Sequence, residues 1–320
     1  MRRFFAAVAM GLAALPALAQ ERVTVDSALP SYTAVQGVSG SIRSIGSDTV
    51  LNLMLAWTEE FKKFYPNVTT SVEGKGSSTA PPALIEGQAQ FGPMSRPMKS
   101  EEIDQFERRF GYKPTNMRAA IDALEVYVNK DNPIDSLSLE QIQQIFSVAG
   151  PNMTWDQLGV TDPAFRGKPL SLFGRNSVSG TYGYFKEHAL GKRDFKPTVK
   201  EQPGSSGVVQ AVAADRFAIG YSGMGYATAD VKPLKIRKTA RDEAVAPSAE
   251  NALSGEYPLA RFLYIYVNYD PKTRLDPLRA EFIRMVFSKQ GHTAQRNFQA
   301  NAKAIDTATQ ISQTVINLRT

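Results

Sequence analysis

The chain has 320 residues and no cysteine. Disulfides, zinc–thiolate sites and cysteine nucleophiles are therefore excluded. Histidine is also scarce, because His188 and His292 are the only two in the sequence. Two imidazoles and no thiol argue against a histidine-based metal cluster. We expect a protein that uses no metal and no cofactor.

Long apolar runs are missing after the first nineteen residues. Arg2 and Arg3 precede an apolar run at residues 4–15, and residues 17–19 have the small side chains of a signal-peptide cleavage site. The run is too short to span a bilayer. The sequence thus predicts cleavage after Ala19 and a periplasmic or secreted mature chain that starts at Gln20.

The net charge of +6 reflects 37 basic and 31 acidic residues. Cleavage would remove Arg2 and Arg3 and no acidic residue, which leaves +4. The remaining basic residues form no block, so we expect no binding to nucleic acid. The weak positive balance is compatible with a small anionic ligand.

Strand and helix patterns alternate along most of the chain. Alternating or apolar segments predict strands at residues 41–45, 68–73, 89–92, 124–129, 170–173, 218–221 and 261–267. Amphipathic or capped segments predict helices at residues 50–65, 81–87, 100–110, 138–146, 183–190, 208–214 and 276–288. Residues 20–40 are expected to form a loose arm, and residues 235–255 an irregular surface. The alternation predicts an α/β fold with helices flanking the sheets.

Four predicted loops place hydroxyl side chains at or near the start of a helix. Helix N-termini offer unpaired N–H groups and partial positive charge, and hydroxyls add neutral donors. An arginine adds a forked, charged contact. The candidate anion-binding residues are Ser47, Asp48, Thr49, Ser77, Ser78, Ser95, Arg96, Arg175, Ser179, Gly180 and Thr181. The alternative for any single loop is that its Ser or Thr only caps the helix, but the repetition indicates a cleft at the carboxyl edge of a sheet.

These motifs resemble those of the periplasmic phosphate-binding proteins of bacterial ABC transporters, the Pst-type family. The segments that carry the resemblance are Gly46-Ser47-Asp48-Thr49, Gly74-Lys75-Gly76-Ser77-Ser78, Phe91-Gly92-Pro93-Met94-Ser95-Arg96 and Arg175-Asn176-Ser177-Val178-Ser179-Gly180-Thr181. The resemblance implies the type II periplasmic-binding-protein fold, with a mixed sheet and flanking helices in each of two lobes. It also implies a monomer that binds inorganic phosphate between the lobes and delivers it to the permease subunits of an ABC importer, without enzymatic activity.

The same resemblance implies how the chain is divided. Lobe I would comprise residues 41–123 and 268–320, and lobe II residues 124–267. The chain would cross between the lobes near residues 124–130 and 261–268, which act as the hinge. Closure of the lobes would be coupled to ligand binding.

The sequence departs from the family pattern at two positions. Arg96 stands where the best-known members have an aspartate that accepts the proton of hydrogen phosphate, and Asp48-Thr49 replaces Thr-Phe. Our hypothesis is that Asp48 takes over as proton acceptor, with Arg96 either paired with Asp48 or in contact with the anion. The alternative is that Asp48 only caps its helix.

Three other functions remain open at this level. The protein could be a secreted scavenger or sensor of phosphate, or it could bind another oxyanion such as sulfate. An exported phosphatase would use the same cleft but needs a nucleophile with a base or a metal. The sequence contains no G-x-S-x-G element and no histidine motif suited to a triad.

Overall fold

The computed structural model describes residues 25–298. The predicted signal peptide and the last 22 residues of the predicted lobe I therefore lie outside the described residues. Among the helices of residues 25–298, none has the length and apolar character needed to cross a membrane.

Strands and helices alternate, as predicted. The strands are β1 Ser41–Gly46, β2 Thr69–Gly74, β3 Phe91–Met94, β4 Thr115–Asn129, β5 Ser136–Ser138, β6 Ser171–Arg175, β7 Lys200–Gln202, β8 Ala218–Gly223, β9 Val231–Pro233, β10 Lys235–Arg237 and β11 Ala260–Val267. The helices are α1 Asp48–Phe64, α2 Ala80–Ile85, α3 Ser100–Phe110, α4 Leu139–Phe146, α5 Gly180–His188, α6 Ser205–Ala214, α7 Ala249–Ser254, α8 Pro277–Val286 and α9 Lys289–Phe298.

Nine strands form one mixed sheet in the order β2-β1-β3-β11-β4-β8-β6-β7, with β9 also paired to β4. Parallel pairs lie towards both ends, β2-β1-β3 at one and β8-β6-β7 at the other. The central strands β11 and β4 are antiparallel to each other and to their outer neighbours. The predicted α/β class with mixed sheets and flanking helices is confirmed.

The long strand β4 links two separate cores. Residues 115–123 pair with β11, and residues 124–128 pair with β8. One core contains the apolar face of α1, where Leu53, Trp57 and Phe61 recur every four residues and are at most 4% exposed. The other core is built around Phe146, Trp155, Phe165, Phe185 and Tyr221. Each core is anchored by large aromatic side chains, whose burial stabilises the fold by about 1.5–3 kcal/mol per side chain.

The structure differs most from the sequence prediction in two places. Strand β4 begins at Thr115, nine residues before the start of the predicted strand. Its first part was not recognised in the sequence because the polar side chains of Asn116, Arg118 and Asp122 break the apolar pattern. The predicted irregular surface at residues 235–255 contains strand β10 and helix α7. Both elements are short and contain few buried apolar residues, such as Ile236 in β10 and Ala252 in α7, so no apolar periodicity could predict them.

Buried tyrosines predict a stability change in alkali. Burial raises the pKa of Tyr184 and of Tyr266 to about 12, whereas tyrosine in an unfolded chain ionises near pH ~10. A raised pKa in the fold means that this stability is complete below pH ~10 and is lost as the pH rises toward the folded value. We expect the free energy of unfolding, measured with urea, to fall above pH ~10 by about 1.4 kcal/mol per pH unit for each such tyrosine. Ionisation of these tyrosines near pH ~10 in the folded protein, seen by tyrosinate absorbance, would contradict this.

Candidate functional site

The predicted site residues lie where the two cores meet, in the loops and helix starts that follow strands β1, β2, β3 and β6, with Arg175 as the last residue of β6. Ser47 to Thr49 connect β1 to α1, and Ser77 to Thr79 form a short 3-10 turn before α2. Ser95 and Arg96 follow β3, and Ser179 to Thr181 begin α5. Parallel strands end at the same edge of a sheet, which explains why loops far apart in sequence converge.

Three buried serines on the side of β1 and β3 form a hydroxyl cluster. Ser47 Oγ donates to Ser95 Oγ at 3.0 Å, and Ser77 Oγ lies 3.2 Å from Ser95 Oγ. The Ser95 N–H donates to Ser77 Oγ at 3.0 Å. Each of the three residues is at most 2% exposed. Hydroxyls at this density can supply several hydrogen bonds to one small ligand.

The first turn of α5 lies directly against this hydroxyl cluster. A Cβ added to Gly180 would be 2.6 Å from Ser95 Oγ and closer still to Ser77 Oγ. Ser179 occupies the N-cap position and accepts from the Thr181 N–H at 3.1 Å. Ser179 therefore caps α5, and its role as a ligand-binding residue stays a prediction.

Two further contacts join the cores across the same junction. Thr49 Oγ1 and Thr181 Oγ1 are 2.8 Å apart and hydrogen bonded. The Ser78 N–H donates to Val178 O at 3.2 Å. Gly76, just before this contact, has φ 107°, a left-handed value that favours glycine.

Asp48 reaches from α1 to the opposite core. Its carboxylate accepts from the Ser205 N–H at 2.7 Å and lies 3.2 Å from Arg175 Nη2. Its carbonyl accepts from the Tyr226 hydroxyl at 2.6 Å. Ser47, not Asp48, holds the N-cap position of α1. The alternative that Asp48 only caps its helix is therefore wrong, because its carboxylate binds another element of the fold.

Arg175 is almost completely enclosed, at 1% exposure. Its Nη1 donates to Ser205 Oγ at 2.6 Å, and its Nη2 faces Asp48. Its buried Nε has no hydrogen-bond partner among the described residues. Burial lowers the pKa of this guanidinium, while the neighbouring Asp48 carboxylate opposes that shift. A buried charged donor with an unused N–H is costly unless a ligand acceptor binds it.

Arg96 does not pair with Asp48, which was one of the two roles expected for it, and its contact with the anion stays a prediction. It forms a forked ion pair with Glu102, at 2.6 and 2.8 Å, and donates to Ser78 Oγ at 3.1 Å. The expectation that Arg96 pairs with Asp48 is wrong, because Glu102 in the first turn of α3 is within reach of the guanidinium fork and Asp48 pairs with Arg175. Arg96 therefore fixes the orientation of the Ser78 hydroxyl.

The sequence analysis missed four residues that contact this site. Ser205 and Tyr226 bond to Asp48, and Arg261 bonds to Thr181 and to Asp122. Gly204-Ser205-Ser206-Gly207 carried a weak signal, a hydroxyl ahead of a helix. Asp122 and Arg261 lie inside strands, where no local motif distinguishes them.

The charged groups at the site are paired one to one. Asp48 faces Arg175, Asp122 faces Arg261, and Glu102 faces Arg96. The site therefore offers many directed N–H and O–H donors with little net charge. Such an arrangement suits a small tetrahedral oxyanion that is recognised mainly by hydrogen bonds. Across residues 25–298, we find no group of three His, Asp or Glu side chains suited to a metal ion.

This two-core fold, with a cleft of hydroxyls and helix starts, is that of a solute-binding protein. Residues 31–290 match the family described as PBP superfamily domain. Residues 293–318 match the flagellar basal body rod FlgEFG protein C-terminal family, and most of them lie outside the described residues.

Relatives of known identity make the assignment more specific. The chain is 51% identical over 300 residues to the phosphate-binding protein PstS of Pseudomonas aeruginosa, covering 91% of both chains. A Clostridium perfringens structure with bound phosphate, described as a phosphate ABC transporter substrate-binding protein, superimposes with a TM-score of 0.69 at 25% identity, covering 81% of this chain and 97% of that one. An ABC-type phosphate transport receptor from Vibrio cholerae shares the fold, with a TM-score of 0.63 at 23% identity, covering 80% and 98%. The chain belongs to the PstS family of periplasmic binding proteins, and its fold is the predicted type II form.

Proposed function

We propose that this protein captures inorganic phosphate between its two lobes and delivers it to an ABC importer. The observation that carries the proposal is the buried Arg175 Nε, which has no hydrogen-bond partner among the described residues, beside the Asp48 carboxylate that reaches over from the other core. The PstS relatives and the phosphate-bound C. perfringens structure support the choice of phosphate over other anions.

The donors and the acceptor of the cleft match hydrogen phosphate. Ser47, Ser77 and Ser95 supply hydroxyls from one lobe, and Arg175 and the start of α5 supply N–H groups from the other. These groups hold the unprotonated oxygens of the anion. Asp48 can only accept a hydrogen bond when ionised, so it faces the remaining P–OH group. Sulfate has no such proton at neutral pH, so one of its oxygens would face the Asp48 carboxylate without a hydrogen bond and would be repelled.

The two central strands provide the hinge in this proposal. Along β4, Ala120 packs in the core of α1 and Ile121 in the core of Phe146. At the start of β11 the opposite change occurs, between Leu259, just before the strand, and Leu263 within it. We propose that the crossings lie near residues 120–121, a few residues before the expected segment 124–130, and near residues 259–263, which overlap the expected segment 261–268. Rotation about them opens the cleft and lets phosphate enter.

Selectivity is expected to depend on Asp48. In Asp48→Asn the side chain offers an amide N–H as well as an oxygen, so it no longer repels an oxyanion without a proton. We expect sulfate binding to strengthen by about 10-fold or more relative to phosphate. Isothermal titration calorimetry with both anions measures the ratio. An unchanged preference for phosphate over sulfate would refute the role of Asp48.

Calorimetry with phosphate, sulfate, arsenate and molybdate tests the proposed ligand. We expect phosphate and arsenate to bind tightly, because both carry a proton at neutral pH. Weak phosphate binding beside tight binding of sulfate or molybdate would overturn the proposal.

The second part of the proposal is that a monomer, exported through its signal peptide, delivers phosphate to permease subunits. Phosphate uptake in cells that lack their own binding protein tests this delivery. Uptake that stays at the level of those cells would instead favour a scavenger or sensor.

A further inference from the structure

Arg261 and Asp122 form a buried ion pair on the two strands that cross between the cores. They face each other in the pairing of β11 with β4. Arg261 Nε and Nη2 donate to Asp122 Oδ2 at 3.0 and 2.8 Å, and the two side chains are 2% and 5% exposed. We propose that Arg261 is a positioning residue that orients the Thr181–Thr49 hydroxyl pair toward the anion, an inference that rests on the proposed phosphate-binding function.

The rest of the Arg261 guanidinium contacts both walls of the cleft. Nη1 donates to Ser95 O at 3.1 Å, on the loop after β3. Nη2 donates to Thr181 Oγ1 at 2.9 Å, in the first turn of α5. The guanidinium also lies 5.3 Å from the centre of the Tyr184 ring. One side chain thus joins the serine cluster, the helix α5 and the hinge strands.

The contact with Thr181 constrains where hydroxyl hydrogens can point. A hydroxyl has one hydrogen and two lone pairs, and arginine can only donate. Thr181 Oγ1 therefore accepts from Arg261, and it shares one more bond with Thr49 Oγ1 at 2.8 Å. Whichever threonine donates in that shared bond, the other keeps a hydrogen free of these contacts. The pair therefore presents a donor to an oxyanion.

Asp122 balances the positive charge of Arg261, so the effect of Arg261 on the site is not a simple attraction between charges. Its Oδ2 neutralises Arg261, and its Oδ1 accepts from the Met224 N–H at 3.2 Å. The pair adds no net positive charge to the cleft. A donor that is itself ionised strengthens the hydroxyl it binds, because hydrogen bonds in a chain polarise one another. Arg261 therefore acts through Thr181, without touching phosphate.

A double-mutant cycle with calorimetric phosphate titration tests this role. The first variant combines Arg261→Met with Asp122→Asn, which removes the donor and leaves no unpaired buried charge. We expect it to bind phosphate about 10-fold more weakly, and Thr181→Val to bind about 30-fold more weakly. With Thr181 absent, Arg261 has no hydroxyl to orient. The variant with all three substitutions should therefore be at most about threefold weaker than Thr181→Val alone.

The outcomes of the cycle distinguish failure of the positioning role from failure of the proposed function. Effects that multiply in the triple variant, or normal binding by the Arg261/Asp122 variant, would overturn the positioning role. Failure of the wild-type protein to bind phosphate would instead overturn the proposed function. As a control, Arg284→Met with Glu281→Gln removes a partly exposed ion pair of 2.6 Å on α8 and should bind phosphate normally. A cooperative thermal unfolding transition shows that each variant is folded. If the Arg261→Met/Asp122→Asn variant does not fold, Arg261→Gln with Asp122→Asn is used in its place.

Discussion

Arg175→Met is expected to weaken phosphate binding by about 100-fold or more. The substitution removes the unpaired Nε and the Nη1 that orients Ser205, and hydrogen bonds to charged groups contribute about 1.5–3 kcal/mol each. It also leaves Asp48 without its partner at 3.2 Å, so an uncompensated carboxylate then repels the anion. Isothermal titration calorimetry of the purified variant measures the loss.

Two further variants separate charge from geometry at this position. Arg175→Lys keeps the positive charge but not the forked donors, and we expect it to recover only about 10-fold of the loss. Arg279→Met removes an arginine that pairs with Asp276 on α8, away from the cleft, and should bind phosphate as the wild type does. Binding of phosphate by Arg175→Met within threefold of the wild type would show that Arg175 is not a ligand.

Gly180→Ala is expected to prevent the lobes from closing on the ligand. The new methyl group would be 2.6 Å from Ser95 Oγ and closer still to Ser77 Oγ, both of which are buried and fixed by hydrogen bonds. Overpacking of this kind costs about 1–3 kcal/mol, which corresponds to a loss of up to about 150-fold in phosphate affinity. Calorimetry should show this loss, and small-angle X-ray scattering should show no compaction on adding phosphate.

The same helix supplies a matched control. A Cβ on Gly183 would meet only Arg96 Cδ, at an ordinary 3.7 Å. Gly183→Ala should therefore bind phosphate and close normally. Alanine favours helix more than glycine does, so neither variant should melt below the wild type without ligand. A Gly180→Ala protein that binds and compacts like Gly183→Ala would disprove the steric account of closure.

The local patterns predicted much of the fold and part of the site. The apolar spacing in α1 and the apolar and aromatic run at residues 262–267 of β11 are properties of neighbouring residues, so the sequence alone reveals them. The first part of β4 was missed because its polar residues, among them Asp122, face partners from elsewhere in the chain. Hydroxyls before helices were recognisable as candidates because helix starts have a local signature.

The pairing of charges was not accessible to sequence reasoning. Arg96 was expected either to pair with Asp48 or to contact the anion, and the structure pairs its guanidinium with Glu102, six residues further along the chain. Arg261 lies in a strand with no motif, yet it bonds to Ser95 and Thr181, which are 166 and 80 residues away in sequence. Which charges meet depends on the sheet order, since β11 lies between β3 and β4.

By itself, the sequence determined the α/β class, the absence of thiol chemistry and the hydroxyl-rich loops from which the site is built. These depend on composition and on spacing within single elements. Only the tertiary structure decided that Asp48 faces Arg175 and Ser205, that Gly180 closes on the serine cluster, and that Arg261 joins both walls of the cleft. The physical reason is that hydrogen bonds and ion pairs act over about 3 Å, and only the folded chain brings distant residues so close.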